Sequence, residues 1–309
     1  MTRTEEFEQM RPQLFAIAYR ILGSVSEAED AVQESWLRYE ATPTAPTSTK
    51  AFLAAVVTRV SIDVLRSARH RREEYVGQWL PEPLLTDPYD DPERSAELAD
   101  SVSMASLVLL ERLSPLERAV FVLREVFGFD FPEVASAVGR SEAACRQLVA
   151  RARRHLDAGL PRYEADRGKG EQLAERFLDA LREGDVDGLR ELLTADAQVV
   201  GDGGGKTPQW VKGVSGAALV ARVLIAFAGP FIRIGGRMEA HEVNGQPGAI
   251  FRDRDGKVLC VSALDILDGR IQAIRTVMNP DKLGHIGPVA NIWATLREMS
   301  QERVKEHNA

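Results

Sequence analysis

Two proline-led helix starts separated by a glycine stop lie within Ser114 to Leu156, SPLERAVFVLREVFGFDFPEVASAVGRSEAACRQLVARARRHL, and they limit that stretch to a few short helices. Ser114, Pro115 and Glu117 stand in the order of an N-cap, an N1 proline and a capping-box acid, predicting a helix to about Gly128. Asp130, Pro132 and Glu133 repeat the signal, and Phe131, Val134, Ala135 and Val138 follow at i, i+3, i+4 and i+7, so the next helix has one buried face. Gly139 is placed to leave it in a left-handed conformation, and Ser141 is placed to cap a third helix. The expected motif is a helix followed by a helix-turn-helix.

In the third helix Cys145, Leu148, Val149, Ala152 and Leu156 form an apolar stripe, with Gln147, Ala150, Arg151 and Arg154 on the opposite face. Arg146 and Arg153 flank that face. Such a helix can lie in the DNA major groove, its N-terminal residues on base edges and its later arginines on phosphates. It can equally be the solvated side of a helical bundle, and the stretch alone leaves both open.

The net charge of -7 and the pI of about 5.5 argue against a DNA binder. Distribution answers the objection: Arg59, Arg66, Arg69, Arg71 and Arg72 form one basic cluster, and Arg146, Arg151, Arg153 and Arg154 another. With 309 residues the chain has room for two or three domains. Cys145 and Cys260 are far apart and lack metal-type neighbours, so neither a disulfide framework nor a metal or other cofactor is expected. No apolar run has the length of a membrane span or the character of a secretion signal, and a cytoplasmic location is the expectation.

In chain order, Phe7, Met10, Leu14, Ile17 and Ile21 predict a helix ended by Gly23. A second helix follows the Ser26 to Glu29 box, burying Ala28, Val32, Ser35, Trp36 and Tyr39 and exposing Glu27, Asp30 and Glu34. The loop ATPTAPTST at 41–49 cannot be helical. From Lys50 to about Arg72 the pattern predicts a long helix whose second half is too rich in arginine for dipole complementation alone. Residues 73–100 read as an acidic, proline-rich linker, in which Trp79, Leu80, Pro81, Glu82 and Pro83 make a patch that should dock on something. A helix from about Pro92 to Leu113 leads into the helix-turn-helix.

AEDAVQESWLRYE at 28–40, AFLAAVVTRVSIDVLRSARHRR at 51–72 and the 114–156 stretch together resemble regions 2 and 4 of extracytoplasmic-function (ECF) RNA polymerase sigma factors. The resemblance implies two partners, the core of bacterial RNA polymerase and promoter DNA. It implies that Asp30, Gln33, Glu34 and Trp36 dock on the polymerase, and that the 41–49 loop with Arg59, Asp63, Arg66 and Arg69 handles the single-stranded minus-ten element. Arg140, Ser141, Glu142, Ala143, Arg146, Gln147, Arg151 and Arg154 would then read the minus-thirty-five duplex. Two modest DNA contacts joined by a linker gain through effective concentration, so neither should bind tightly alone.

Past Pro161 the pattern changes class. Helices around Phe177 and Leu189, a strand at Ala197 to Val200 and a helix from Ser215 to about Phe227 precede extended segments punctuated by Asn244-Gly245, Asp255-Gly256 and Asp268-Gly269. Helices followed by an antiparallel curved sheet give an α+β cone, which resembles the SnoaL-like, nuclear-transport-factor-like fold. His241, Asp265 or Arg275 could point into the cavity of such a cone, but strand alternation sends half of all strand residues outward, and catalysis is not the expectation. Asp202, Gly203, Gly204, Gly205 and Lys206 lack the spacing of a P-loop.

WLPEP (79–83), DGGGK (202–206) and NPDKL (Asn279, Pro280, Asp281, Lys282, Leu283) together resemble the ECF sigma factors that carry a fused SnoaL-like domain. That resemblance implies regulation of the sigma unit in cis, and the expectation is that DGGGK and NPDKL pack against the linker around Trp79 to Pro83 and so set the spacing of regions 2 and 4. The expected organisation is 1–72 region 2, 73–100 linker, 101–165 region 4, 170–288 cone and 289–309 a tail helix, either a clasp or a simple cap. Two other functions are open to such a chain: a ligand-responsive regulator that binds duplex DNA without polymerase, and a cone-fold isomerase or cyclase with a DNA-binding appendage. Whether the cone takes a small-molecule ligand stays open at this level.

Overall fold

The computed structural model describes residues 2–73, 75–89, 101–156, 167–207 and 213–307, with side chains described for all of these except 68–73, 167 and 302–307. Its contacts divide the chain into two compact units, Met1–Glu74 with Asp87–Pro161, and Tyr75–Thr86 with Arg162–Ala309. The central segment of the acidic linker therefore belongs to the second unit while both of its flanks belong to the first.

In the first unit, helix α1 (Arg3–Leu22) starts at a Thr2/Glu5 capping box and ends where Gly23 turns left-handed. It packs on α2 (Val25–Glu40) and α3 (Thr49–Glu73), and Leu14, Ile17, Ile21, Val32, Leu53 and Val57 are all essentially without exposure. Sequestering these side chains stabilises the bundle by about 1.5–3 kcal/mol each relative to leaving them in water. The second helix is capped by Ser24, two residues before the start read from the sequence.

Of the helix expected from Pro92 to Leu113, residues 92–100 lie outside the described residues, 101 and 102 are helical, and Ser103 interrupts the run and caps α4 (Met104–Leu110). The helix expected from Ser114 to Gly128 is α5 (Pro115–Phe121) continued by a π-helical turn over Val122–Val126, closed by Phe127 N–H on Val122 O at 3.1 Å. Helix α6 (Phe131–Val138) has its Asp130/Glu133 box, Gly139 follows at φ 64°, and α7 (Glu142–Leu156) is capped by Ser141, whose hydroxyl accepts Ala144 N–H at 3.2 Å. Cys145, Val149, Ala152 and Leu156 are buried, so the apolar stripe faces α5 and α6.

In the second unit, α8 (Arg167–Glu183) and α9 (Val186–Leu192) lead directly into strand β1 (Leu193–Asp202), longer than the four residues expected. After β2 (Val214–Ser215) comes α10 (Ala217–Arg233), and then β3 (Arg237–Val243), β4 (Gln246–Arg252), β5 (Val258–Leu267) and β6 (Arg270–Val277). The sheet runs β2-β1-β6-β5-β4-β3, antiparallel except for the β1/β6 pair. Asn244-Gly245 and Asp268-Gly269 both place two left-handed residues at a hairpin turn, the type I′ signature. Asp255-Gly256 does not: only Gly256 is left-handed, and the longer loop is tied by Asp253, whose carboxylate accepts Asp255 N–H and Lys257 N–H.

One face of the sheet buries Leu264, Ile274 and Phe251 against Phe177, Leu181 and Phe231 of the helices, giving the α+β cone. The tail helix starts at Ile292 rather than at 289, and the chain before it is interrupted. Pro280–Lys282 is a single 3₁₀ turn, residues 288–290 pair with Val258, and α11 (Ile292–His307) starts behind an Asn291 cap. Gly284, Gly287 and Pro288 explain the interruption.

Candidate functional site

Helix α7 offers an exposed polar face because its stripe at Cys145, Val149, Ala152 and Leu156 is spent on the core. Arg140, Ser141, Ala143, Arg146, Gln147, Arg151 and Arg154 are exposed, and Glu142 is half-buried. Their ties are short-range. Arg146 pairs with Glu142 at 2.9 Å and lies over the Phe131 ring, Arg151 pairs with Glu117 at 3.6 Å, and Arg154 donates to Ala150 O. The exposed Arg146–Glu142 pair is worth less than about 1 kcal/mol, so a polyanion can replace its carboxylate, whereas the Glu117 partner of Arg151 is buried.

On α3, Asp63 and Arg66 form an exposed pair at 3.3 Å. Arg59 is differently engaged: its guanidinium donates to Ala137 O at 2.7 Å and Ser136 O at 2.5 Å, carbonyls at the end of α6. A cation at a helix C-terminus is favoured by the unpaired carbonyls there, and α3 packs along α6. The side chain of Arg69 lies outside the described residues. Nothing in the periodicity of either helix signals the Arg59 contact.

On α2, Trp36 packs on Phe7 with ring centroids 5.0 Å apart, and Trp36 and Gln33 line a shallow groove of about 320 Å³ between α1 and α2. Asp30 is exposed outside the groove, and Glu34 pairs with Arg38 at 2.8 Å. Sequence reasoning missed Arg11 and Glu29, which pair across the same groove at 2.8 Å.

The second unit contains a buried charged cluster. Asp202, at the end of β1 and with no exposure, accepts from Tyr75 Oη at 2.5 Å, Leu80 N–H at 2.8 Å, Gly204 N–H at 3.1 Å and Lys282 Nζ at 2.7 Å. Lys282 Nζ also donates to Leu80 O at 2.5 Å and sits over the rings of Trp79 and Tyr75, at 4.4 and 4.9 Å from their centroids. Leu80 thus has both of its backbone groups satisfied by one ion pair. Asn279 donates to Tyr75 Oη at 2.9 Å, Lys206 pairs with Asp281 at 2.7 Å, and Leu283 is fully buried. Burial, with the Asp202 carboxylate next, drives the Tyr75 phenol far above its ordinary pKa, so it stays a donor.

Gly204 is required here twice over. Its φ is 55°, and a Cβ would stand 2.3 Å from Asn279 Nδ2. Further along, Pro81, Glu82 and Pro83 are buried, His285 Nε2 lies 2.7 Å from Pro83 O, and Leu84 exchanges hydrogen bonds with Asn244 at 2.7 and 3.0 Å. Tyr75 and His285 were not singled out from the sequence, and Asn244 only as a hairpin-turn residue; their place beside a docked linker marks them.

The cone's cavity settles which of the candidate polar groups enter it. His241, Asp265 and Arg275 do not line it. On β5 and β6 the inward positions are Ser262, Leu264, Ile274 and Thr276, so Asp265 and Arg275 face the other way and pair at 2.7 Å. Burial pushes the Asp265 carboxyl up from its ordinary value against the lowering by Arg275. His241 is exposed and lies 2.7 Å from Glu242 O. Among the described residues, no carboxylate, histidine, lysine or arginine lines the cavity.

The Sigma-70 region 2 family model matches residues 7–71, and the Sigma-70, region 4 model matches residues 104–156. The chain is 38% identical over 288 residues to the ECF RNA polymerase sigma factor SigJ of Mycobacterium tuberculosis, covering 90% of this chain and 92% of that one. It is 31% identical to the probable ECF RNA polymerase sigma factor SigI of the same species, over 88% and 92% of the two chains. The crystal structure of Mycobacterium tuberculosis SigJ superposes with a TM-score of 0.72 at 33% sequence identity, covering 93% of this chain and all of that one.

Proposed function

Since the chain belongs to the ECF RNA polymerase sigma factors, we propose that its helical unit makes the polymerase and promoter contacts and that its SnoaL-like cone regulates them in cis by holding the linker. A sigma factor selects promoters for RNA polymerase and catalyses nothing itself. Neither a polymerase-independent regulator nor an isomerase accounts for a region 2 joined to a region 4. The groove bearing Gln33 and Trp36, with Asp30 and Glu34 beside it, is the polymerase-docking side. Arg59, Asp63, Arg66 and Arg69 handle the minus-ten strand, and the exposed face of α7 from Arg140 to Arg154 reads the minus-thirty-five duplex. The site of action is the cytoplasm, where the polymerase works.

The observation that carries the regulatory reading is the double claim on Leu80, its N–H by Asp202 and its carbonyl by Lys282. The linker between the two promoter-binding regions cannot extend freely while residues 79–84 are docked, because release breaks the hydrogen bonds that Leu80 makes to Asp202 and Lys282 and leaves both charges short of partners. Arg59 adds a second restraint. While its guanidinium is bound to Ser136 and Ala137, it is not free for a phosphate, so region 4 has to leave α3 before the minus-ten contact forms.

The test is initiation in vitro with bacterial core polymerase on genomic DNA, comparing the full chain with Asp202→Ala and with Arg59→Ala. The Asp202 variant should change output severalfold from the same promoters, and the Arg59 variant should lose opening while retaining polymerase. An Asp202 variant indistinguishable from the parent in both output and linker protection would refute the regulatory role.

A further inference from the structure

The second unit encloses a cavity of about 130 Å³ between the sheet and helices α8, α10 and α11. Protein interiors are close-packed and voids of this size are few, because wall atoms facing empty space forfeit their dispersion contacts. Here the space is left by small residues: Gly201, Ala228 and Ala249 stand on the wall where larger side chains would fill it. The rest is mostly aliphatic and aromatic, and among the described residues that line it none is charged. Burial pushes the Cys260 thiol up to about 12, so it stands on the wall as a protonated, unreactive group.

The polar exception is a pair of hydroxyls. Ser262 Oγ and Thr276 Oγ1, on neighbouring strands β5 and β6, lie 2.8 Å apart, and either can be the donor. Each hydroxyl has acceptor capacity beyond that bond and the one that accepts keeps its own proton, so the pair can accept one hydrogen bond from a ligand hydroxyl or donate one to a ligand carbonyl. An apolar cavity of about 150 Å³ is large enough for a single benzene ring and is too apolar to hold water.

We infer that the cone is a receptor for a small, uncharged molecule of about one ring, bearing a single hydroxyl or carbonyl that meets Ser262 and Thr276. Ionised ligands are excluded, because nothing on the wall would compensate a desolvated charge. The occupied site is linked to the linker by one helix. Ile292 and Leu296 of α11 form part of the cavity wall, and Trp293 between them donates Nε1–H to Lys206 O at 2.9 Å. Lys206 ends the loop whose Gly204 N–H binds the same carboxylate as Leu80. A ligand that presses on α11 therefore acts on the loop that holds Tyr75 and Leu80. This second step rests on the regulatory reading above; the binding site itself does not.

The test uses the full chain, with benzene, phenol and ionised benzoate as probes in calorimetric titrations, and hydrogen exchange at the Leu80 amide as the linker readout. Benzene and phenol should bind, phenol several-fold more tightly, and benzoate at least a hundredfold more weakly than phenol. Ala249→Leu, which fills the space, should weaken phenol at least tenfold. Ser262→Ala, a milder change, should erase the preference for phenol over benzene. Failure of both neutral probes to bind, benzoate binding as well as phenol, or a phenol affinity untouched by either variant would overturn the site. Saturating phenol should speed exchange at Leu80 several-fold. Unchanged exchange with phenol bound would remove the link and leave the receptor, whereas a Leu80 amide unprotected without any ligand would remove the docked linker itself.

Discussion

The two units hold their charges in opposite ways. On α7 the arginines are exposed, and ties such as the Arg146–Glu142 pair at the surface contribute little to folding. Around Asp202 an aspartate and a lysine are buried with their hydrogen-bonding groups spent on the linker. The first arrangement keeps charges free for a partner that arrives later. The second makes docking of one chain segment inseparable from the stability of the unit that holds it. A sigma factor can lose the first kind of residue and stay folded; it cannot lose one member of the second kind cheaply.

The largest expected effect follows from breaking the buried pair on one side. Lys282→Met should destabilise the second unit by about 3–5 kcal/mol, because Asp202 keeps its burial and loses its cation. Denaturant unfolding measures this. Removing both charges with Asp202→Leu and Lys282→Met should restore much of that loss while leaving Leu80 N–H without its acceptor, so stability and linker protection part company. A double variant as unstable as the single one would mean that the pair is not what the segment is built around.

Gly204→Ala comes next. A left-handed backbone and a Cβ 2.3 Å from Asn279 should cost about 1–3 kcal/mol and loosen Tyr75 first. Hydrogen exchange of residues 75–84 against the rest of the cone would show whether the loss is local.

Smaller effects sharpen the other side of the comparison. Ser114→Ala should cost about 1 kcal/mol by breaking a capping box. Its acid, Glu117, is raised by burial but lowered more by the Ser114 hydroxyl and backbone N–H and by Arg151, leaving a net lowered pKa. A carboxylate lowered in the folded state adds stability that is complete above the unfolded value of about 4.3 and is lost as pH falls through the folded one. Glu117→Gln should therefore flatten the acid limb of the first unit's stability profile below about pH 4. Smallest for stability, Arg146→Ala and Arg154→Ala should stay within about 0.5 kcal/mol of the parent, yet each should lower the salt dependence of duplex binding by about one counterion.

Local chemistry made the first unit legible. Capping boxes at Ser114 and Asp130, the left-handed exit at Gly139 and the period of the α7 stripe are written within a few residues of where they act. The departures there are of length and detail: Ser24 rather than Ser26 caps α2, and a π-helical turn carries α5 into Phe127. The contact of Arg59 with Ser136 and Ala137 was not legible, because it joins residues separated by almost eighty positions and needs backbone carbonyls that any sequence possesses. In the second unit the composition of Trp79–Pro83 marked it as a docking segment, but its partners around Gly204 and Lys282 were joined to it only through resemblance to related chains. Periodicity says nothing of an ion pair across the same separation. Alternation did warn that Asp265 and Arg275 could turn outward, and β5/β6 register decided it.

The central claim is that the cone governs promoter use by docking the linker, and transcription initiation by Asp202→Leu with Lys282→Met tests it most directly. That double variant is expected to stay folded and release Leu80, so with bacterial core polymerase it should initiate from the same promoters as the parent at a severalfold different level. Equal output from the two proteins, with the double variant's linker shown by hydrogen exchange to be free, would contradict the account.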